Sequence, residues 1–362
     1  MRRITKIIAP LLLILLVITG CQAEPKGEVK TKYQNSFFEY FDTVTTVIGY
    51  TDTQEEFNGY FSEIEAEFKR YHELYDIYNT YEGINNIKTI NDNAGIAPVE
   101  VDERIIDLIL FSKEWYEKTT GKANIAMGSV LRVWSAYREE AENNPNDAKL
   151  PPMEELEAKN MHTDIDKVIV DEEAGTVFLE DPDMSLDVGA VAKGFATEQI
   201  ADLMREKGFT SLIISAGGNV KALDQPLDGL RERWGIGIQN PDESVFTDSP
   251  SLDTVFANNI AVVTSGDYQR FYVVDGEKYH HLIDAETLMP GTQFKAVTVV
   301  MEDSGLADFM STTLFLSSLE EGKEMLKLIE GAHAIWVTHD NEIIISEGFE
   351  SMLKSGGASG AD

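Results

Sequence analysis

The alternation of hairpins and helices restricts the fold of this chain more than any other sequence feature. Asp275–Gly276 is a strong signal for a two-residue β-turn, and KVIVDEEAGTVFLE and AIWVTHDNEIIIS also have the pattern of hairpins. Apolar residues recur every three or four positions from Glu55 to Asn79, which predicts a long amphipathic helix, and a second helix is predicted from Glu103 to Thr120. Hairpins mixed with helices favour the α+β class over a doubly wound parallel sheet.

Composition excludes some classes of function and of stabilisation. The 362 residues carry a formal net charge of −33, which would repel a phosphate backbone, so nucleic acid is not expected as a partner. An anionic small substrate would need a cation or a local positive dipole to enter such a protein. Cys21 is the single cysteine, so no disulfide can form within the chain.

The N-terminus has the pattern of an export signal. MRRITK supplies positive charges, and the apolar run Ile7–Ile18 is too short for a helix that spans a bilayer. The run ends in ITGC, which is similar to a bacterial lipoprotein signal with Cys21 as the lipidated residue. We expect residues 1–20 to be removed and acyl chains on Cys21 to hold the protein at the outer face of a bacterial cell membrane. An uncleaved anchor is the alternative.

The remaining chain divides by composition. Residues 21–35 are polar and are expected to form a tether, and residues 36–350 alternate between strand and helix patterns as one domain. Residues 351–362 include the small-residue run SGGASG, and we expect them to be disordered.

The segment SLDVGAVAKGFATEQIADLMREKG passes from a strand through small residues into a helix. It contains no phosphate loop, because Lys193 precedes Gly194 instead of following a glycine. Small residues before a helix N-terminus let an anion approach the backbone amides and the positive end of the helix dipole. Lys193 would add a mobile positive charge. A plain packing turn explains the same pattern equally well.

Two further segments carry side chains suited to chemistry. In LADFMSTT, Asp308 and Thr312 are four residues apart, so a helix places both on one face as hard oxygen ligands of the kind Mg²⁺ prefers. A partly buried acid satisfied by a threonine is the alternative. In KYHHLIDAETLMPG, the adjacent His280 and His281 point to opposite faces of a strand, so one at most enters a given site. A zinc site is disfavoured because no further histidine or cysteine lies at ligand spacing.

These motifs occur together in an order that resembles the FAD:protein FMN transferases, the ApbE family of flavin-transferring lipoproteins. The resemblance covers about residues 36–350 and rests on these segments: FDTVTTVIGY, IAMGSVLRVW, DVGAVAKGFATEQI, SAGGNVKAL, WGIGIQNP, VVTSGDYQRF, YHHLIDAETLMPG and VTVVMEDSGLADFMSTTLF. It implies a T-fold-like α+β domain with mixed or antiparallel sheets and flanking helices, which binds FAD in a cleft and uses Mg²⁺. After Asp284 the chain departs from the Pro-x-Thr-Gly of the family pattern.

The resemblance also implies roles for individual residues. Asp308 and Thr312 would be side-chain ligands of Mg²⁺, with the main-chain carbonyl of Ala190 as a third ligand. His281 matches the family histidine and is the candidate catalytic base. The expected contacts to FAD are Thr43, Tyr78, Ala126, Met127, Gly128, Asp187, Lys193 and Ile283.

The implied activity is transfer of FMN from FAD to a threonine or serine hydroxyl of an acceptor protein, with release of AMP. The partners would be FAD, an exported or membrane-bound acceptor and the membrane itself. Three alternatives differ in class: a pyrophosphatase that splits FAD into FMN and AMP, a surface lipoprotein that binds flavin without catalysis, and an adhesin. AMP release with and without an acceptor, and FAD binding itself, would separate them.

Overall fold

The structure, a computed structural model, describes residues 28–243 and 251–361. The helices are α1 (Gln54–Tyr75), α2 (Ile87–Asp92), α3 (Glu103–Lys118), α4 (Gly128–Asn143), α5 (Met153–Asn160), α6 (Ala192–Glu206), α7 (Ser304–Leu316) and α8 (Leu319–Leu326). The strands are β1 (Thr31–Phe37), β2 (Thr45–Thr51), β3 (Val99–Glu100), β4 (Val168–Asp171), β5 (Thr176–Leu179), β6 (Leu212–Ala216), β7 (Asn219–Leu223), β8 (Trp234–Gln239), β9 (Ser251–Ala257), β10 (Ile260–Gly266), β11 (Phe271–Val274), β12 (Glu277–His280), β13 (Phe294–Met301), β14 (His333–Thr338) and β15 (Ile343–Ile345).

The main sheet is antiparallel throughout. Its eight strands run in the order β1-β2-β6-β7-β10-β13-β14-β15, and every adjacent pair is antiparallel. Smaller antiparallel pairings join β3, β5 and β4, then β8 with β9, and β11 with β12. The predicted α+β class is therefore confirmed.

Both faces of the main sheet are buried. Along β10, Val263 belongs to the core cluster that contains α1, α6 and α7, whereas its neighbour Val262 belongs to the cluster that contains β8 and β9. Successive side chains of a strand point to opposite faces, so adjacent β-branched residues such as Val299 and Val300 in β13 pack into different cores.

Helix α7 occupies the centre of the larger core. Every one of its residues from Ser304 to Leu316 is buried, and most are apolar, but Ser304, Asp308 and Thr312 give the helix one polar face. Asp303 caps its start by accepting a hydrogen bond from the Leu306 amide (2.7 Å). The two polar residues predicted to bind a metal therefore project from a rigid, buried element.

A smaller core lies between α4 and the hairpin of β11 and β12. The rings of Trp134, Tyr272 and Tyr279 pack together there, with centroids 6.1–6.4 Å apart. Trp134 Nε1 also donates a hydrogen bond to the Leu288 carbonyl (3.0 Å). This cluster fixes the hairpin, and hence the residues at its base, against α4.

The described ends of the domain differ from the sequence prediction. Residues Thr31–Phe37, within and just after the expected tether, form an edge strand paired along its whole length with β2. The expected disordered tail instead forms short 3₁₀ turns, with Leu353 fully buried against β9. The burial of this one leucine holds the tail against the domain, which the small-residue composition of the tail does not indicate. The predicted signal at 1–20 and Cys21 lie outside the described residues.

No helix in the described part of the chain is both long and apolar enough to cross a bilayer.

Candidate active site

Gly194, the residue after Lys193, lies where helices α6 and α7 cross. A Cβ added at Gly194 would lie 2.3 Å from the Ser304 carbonyl oxygen and 2.4 Å from the Cβ of Asp308. No side chain fits between these helices, so glycine allows their close approach. As a result, the start of α6 meets the first turns of α7.

Asp308 lies at this crossing and caps α6 from another helix. Its Oδ2 accepts the Gly194 N–H (2.7 Å), and Val191, the residue before α6, makes no side-chain cap of its own. Lys193 Nζ lies 3.4 Å from both carboxylate oxygens. The carboxylate thus faces the positive end of a helix and a lysine together.

Thr312 lies one turn after Asp308 and is also buried. Its hydroxyl is 3.3 Å from Ser265 Oγ, which is 2.8 Å from Ser311 Oγ. Ser265 is near the end of β10, so the sheet and α7 supply a row of hydroxyls beside the carboxylate.

The donor set at this crossing fits a hard divalent cation. A carboxylate and a hydroxyl from successive turns of one helix are oxygen ligands, and Asp308 keeps lone pairs beyond the one that accepts the Gly194 N–H. Ala190 is in the turn directly before α6, two residues from its first residue. Asp308, Thr312 and the Ala190 carbonyl remain the predicted ligands.

A buried polar network fixes the start of α7 behind the crossing. Lys221 Nζ on β7 donates to Glu198 Oε1 on α6 (2.8 Å) and to the Glu302 carbonyl (2.7 Å), while Glu198 Oε2 accepts the Ser304 N–H (2.6 Å). Burial raises the pKa of Glu198, and Lys221 opposes that shift. Ser304 Oγ donates to Asn219 Oδ1 (2.8 Å). The network ties α6, β7 and α7 together around the predicted metal ligands.

The segment before α6 lies directly beside the start of α4. A Cβ on Gly128 would lie 2.3 Å from the Ser185 carbonyl oxygen, and Met127 forms a parallel bridge with Ser185. The Asp187 N–H donates to the Ile125 carbonyl (2.8 Å). The fold thereby brings the predicted FAD contacts Ala126, Met127 and Gly128 next to Asp187, although Ala126 and Met127 are themselves buried.

The charges of three arginines act on Asp187. Burial raises the pKa of the Asp187 carboxyl, whereas the Gly189 N–H (2.9 Å from Oδ1) and the charges of Arg270, Arg132 and Arg138 oppose the rise. Arg132 Nη2 also donates to Ser185 Oγ (2.9 Å). Positive charges therefore act locally on Asp187 in a chain whose net charge is −33.

The two adjacent histidines have different environments, as the strand pattern predicts. His280 is buried, with Nε2 2.8 Å from the Gly291 carbonyl oxygen and Nδ1 accepting the Leu282 N–H (3.2 Å), so both of its nitrogens serve the fold. His281 follows β12 at the base of the hairpin, where its N–H donates to the Arg270 carbonyl (3.1 Å).

The ring of His281 is held as a neutral imidazole. Nδ1 lies 3.3 Å from the Arg270 carbonyl oxygen, which can only accept, so Nδ1 carries the proton and Nε2 keeps its lone pair. Burial, then the charge of Arg270, lowers the pKa of His281 to about 3. At physiological pH Nε2 is therefore unprotonated, and it becomes an effective proton acceptor only when a neighbouring negative charge raises this pKa.

The turn after the histidines differs from the family pattern but is well ordered. Asp284 Oδ1 accepts the N–H groups of Glu286 (2.7 Å) and Thr287 (3.2 Å), and Leu288 closes the turn at φ +58°. Lys122 pairs with Asp284 at 3.0 Å. Ile283, a predicted FAD contact, is buried in the same small core as Met127.

The last two predicted contacts, Thr43 and Tyr78, lie outside the helices and strands. Thr43 is beside the β6–β7 turn, where the Gly217 N–H donates to the Val44 carbonyl (3.1 Å). Tyr78 is 66% exposed, on a turn that Asp76 organises by accepting the Tyr78 N–H (2.6 Å) and the Tyr81 hydroxyl (2.7 Å). An exposed aromatic ring held on an ordered turn can stack on a planar ligand.

Other features of the described residues involve none of the predicted site residues. His162, Asp181 and Asp183 form an acidic cluster, but Lys167 already pairs with Asp181 at 3.2 Å. Two concavities of about 360 and 350 Å³ contain none of the predicted site residues among their lining residues.

Sequence reasoning missed the arginines and the buried network. Arg132 and Arg138 occur in LRVWSAYR, directly after the segment that predicts FAD contacts, and Arg270 ends SGDYQR. Positive residues close to candidate motifs in an acidic chain are a usable signal. The pairing of Glu198 with Lys221 has no local signal, because a hydrogen bond across 23 residues depends on the packing of α6 on β7.

Comparisons with known proteins agree on one family. The model of the ApbE family matches residues 41–336. A protein of Klebsiella pneumoniae named FAD:protein FMN transferase is 31% identical over 280 residues, which cover 77% of this chain and 82% of that protein. A protein of Treponema pallidum with the same name is 29% identical over 275 residues, covering 74% and 75%.

Solved structures extend the agreement to the fold. The crystal structure of the ApbE protein of Thermotoga maritima superposes with a TM-score of 0.76 at 26% identity, over 89% of this chain and 99% of that one. The flavin transferase ApbE of Vibrio cholerae superposes with a TM-score of 0.72 at 18% identity, over the same shares of the two chains. With the matched segment extending from before β2 to the middle of β14, this chain belongs to the ApbE family.

Proposed function

We propose that this protein transfers FMN from FAD to a threonine or serine hydroxyl of an acceptor protein in a magnesium-dependent reaction. The enzyme class, a flavin transferase, agrees with the names of its relatives. The observation that carries the proposal is Asp308, a buried carboxylate anchored by one oxygen to α6 and placed beside Lys193 and Thr312. An anionic dinucleotide could be held there despite the acidity of the chain.

In the proposed phosphoryl transfer, the residues of the site have different roles. Lys193 and the N-terminus of α6 attract the diphosphate, and Asp187 with the start of α4 contacts the rest of FAD. The acceptor hydroxyl attacks the phosphorus on the flavin side, and its proton passes to Nε2 of His281. The new P–O bond forms as the bond to the bridging oxygen breaks, and AMP leaves with that oxygen.

Asp308, Thr312 and the carbonyl of Ala190 would hold Mg²⁺ in this reaction. The bound ion would neutralise phosphate charge and act as a Lewis acid toward a phosphoryl oxygen.

The test combines a variant with the detection of both products. Full-length protein, FAD and Mg²⁺ are incubated with a peptide copied from a protein that carries threonine-linked FMN, and with the same peptide bearing alanine instead of that threonine. We expect the FMN adduct by mass spectrometry on the threonine peptide alone, with one AMP per adduct. Asp308→Asn should lower the rate at least about a hundredfold. Asp92→Asn, which alters an exposed pair with Lys88, is the matched control.

Other outcomes would contradict particular parts of the proposal. AMP release without an adduct on any peptide would show a pyrophosphatase. An unchanged rate of transfer by Asp308→Asn would show that Asp308 is not a required metal ligand. Tight FAD binding without either product would indicate a protein that binds flavin without catalysis.

We also propose that the protein is exported and anchored by acyl chains on Cys21. The basic start, the short apolar run and the single cysteine in ITGC support this location.

A further inference from the structure

Lys193 and Asp308 form an ion pair without a short hydrogen bond. Lys193 Nζ is equally far, 3.4 Å, from both carboxylate oxygens, and this exceeds the 2.7–2.9 Å that is common in a charge-assisted hydrogen bond. The lysine side chain is 26% exposed, while that of Asp308 is 8% exposed. The attraction between them is therefore mainly electrostatic, and the flexible lysine stem can change partners at little cost.

A second cation at this carboxylate would meet an existing positive field. Asp308 already faces Lys193 and the amide end of α6 through Gly194. The neighbouring carboxylate of Glu198 is engaged by Lys221 and the Ser304 N–H, so it does not offset that field. One carboxylate, one lysine and a divalent cation together leave two positive charges, which is the charge that a diphosphate cancels.

We propose that Lys193 opposes the binding of a divalent cation at Asp308 and thereby couples cation binding to dinucleotide binding. Without the dinucleotide, lysine and cation repel each other across a shared carboxylate. With it, both are attracted to phosphate oxygens, so each ligand raises the affinity for the other. This inference rests on the proposed function, because it assumes that Asp308 binds the cation.

The test uses Mn²⁺ as the probe and needs no turnover. Free Mn²⁺ is measured by electron paramagnetic resonance during titration of full-length protein without FAD. We expect Lys193→Met to bind Mn²⁺ roughly tenfold more tightly than the unmodified protein, because a repelling charge near the ligand has gone. Lys193→Arg keeps the charge and should show no such gain. Lys327→Met removes a lysine from an exposed pair with Glu324 and controls for the change in net charge.

A second measurement tests the coupling itself. FAD binding is followed by flavin fluorescence with and without saturating Mn²⁺, in the absence of an acceptor. Mn²⁺ should raise FAD affinity in the unmodified protein, and Lys193→Met should reduce that enhancement at least about fivefold. A residue with a purely structural role would weaken Mn²⁺ binding when replaced and would not strengthen it.

The outcomes separate this inference from the function on which it rests. If Asp308→Asn binds Mn²⁺ as well as the unmodified protein does, Asp308 is no ligand and the metal part of the proposed function is lost with the inference. If Mn²⁺ binding depends on Asp308 but Lys193→Met binds it no more tightly, the inference alone is overturned.

Discussion

Replacing Gly194 with alanine should destabilise the protein, although alanine is the better helix former. A new Cβ would lie 2.3 Å from the Ser304 carbonyl oxygen and 2.4 Å from the Cβ of Asp308. Ordinary carbon–oxygen contacts are about 3.3 Å or longer, so the helices must separate by about 1 Å. The Ser304 carbonyl is backbone and the Asp308 Cβ is attached directly to the backbone of α7, so neither can move away as the end of a flexible side chain could.

The magnitude follows from two opposing effects. Alanine in a helix interior is favoured over glycine by about 1 kcal/mol. Overpacking a well-filled core costs about 1–3 kcal/mol, and a clash that involves two helix backbones belongs at the upper end of this range. We therefore expect a net loss of about 2 kcal/mol in the free energy of unfolding, together with a loss of transfer activity because Lys193 moves away from Asp308.

Gly59 provides the matched control for this substitution. It lies on the exposed face of α1, and a Cβ added there meets nothing within 4 Å. Gly59→Ala should thus raise the free energy of unfolding by about 0.5–1 kcal/mol. Urea unfolding followed by circular dichroism measures both variants. If Gly194→Ala were as stable as Gly59→Ala, the reasoning from the close helix crossing would be refuted.

Two further predictions concern pH and location. Because His281 has a pKa of about 3, it stays neutral as pH falls from 8 to 5, so kcat/KM should show no loss of activity near pH 6.5 from this residue. Arg270→Gln removes a charge that, after burial, lowers this pKa, so an acid limb set by His281 would lie below pH 5 and move to higher pH in this variant; an acid limb near pH 6.5 in the unmodified protein would contradict the lowered pKa. Cys21→Ser should move the protein from the membrane fraction to the soluble exported fraction, and retention in the membrane would contradict lipidation.

Much of the fold could be predicted because its signals are local. The period of apolar residues in α1 and the Asp275–Gly276 turn depend on neighbours in sequence, and the structure has both elements. Helix α4 was not predicted, because Met127 precedes it without a side-chain cap and its apolar residues belong to a separate small core. The strand of the expected tether depends on pairing with β2, which composition does not reveal.

The candidate site likewise combines features that follow from local sequence with contacts between distant elements. The spacing of Asp308 and Thr312 is a property of one helix, so their common face could be predicted. The carbonyl of Arg270 holds His281 because the hairpin of β11 and β12 brings residues 11 apart to the same base. The Gly194 N–H meets Asp308 across 114 residues, and that contact exists only once α6 and α7 have packed. Contacts between distant elements therefore needed the structure.

The acidity of the chain is compatible with the proposed anionic substrate because the net charge and the local cations act over different ranges. Most of the 63 acidic residues contribute to a surface potential that salt screens beyond about 8–10 Å. Lys193 is partly buried and lies 3.4 Å from both Asp308 oxygens, so its charge is screened less, whereas Arg132 and Arg270 are exposed and act on Asp187 from the surface. Under the proposed function, a dinucleotide that has reached the α6–α7 crossing would be governed by Lys193 and the α6 N-terminus, and the net charge would mainly affect how often it arrives.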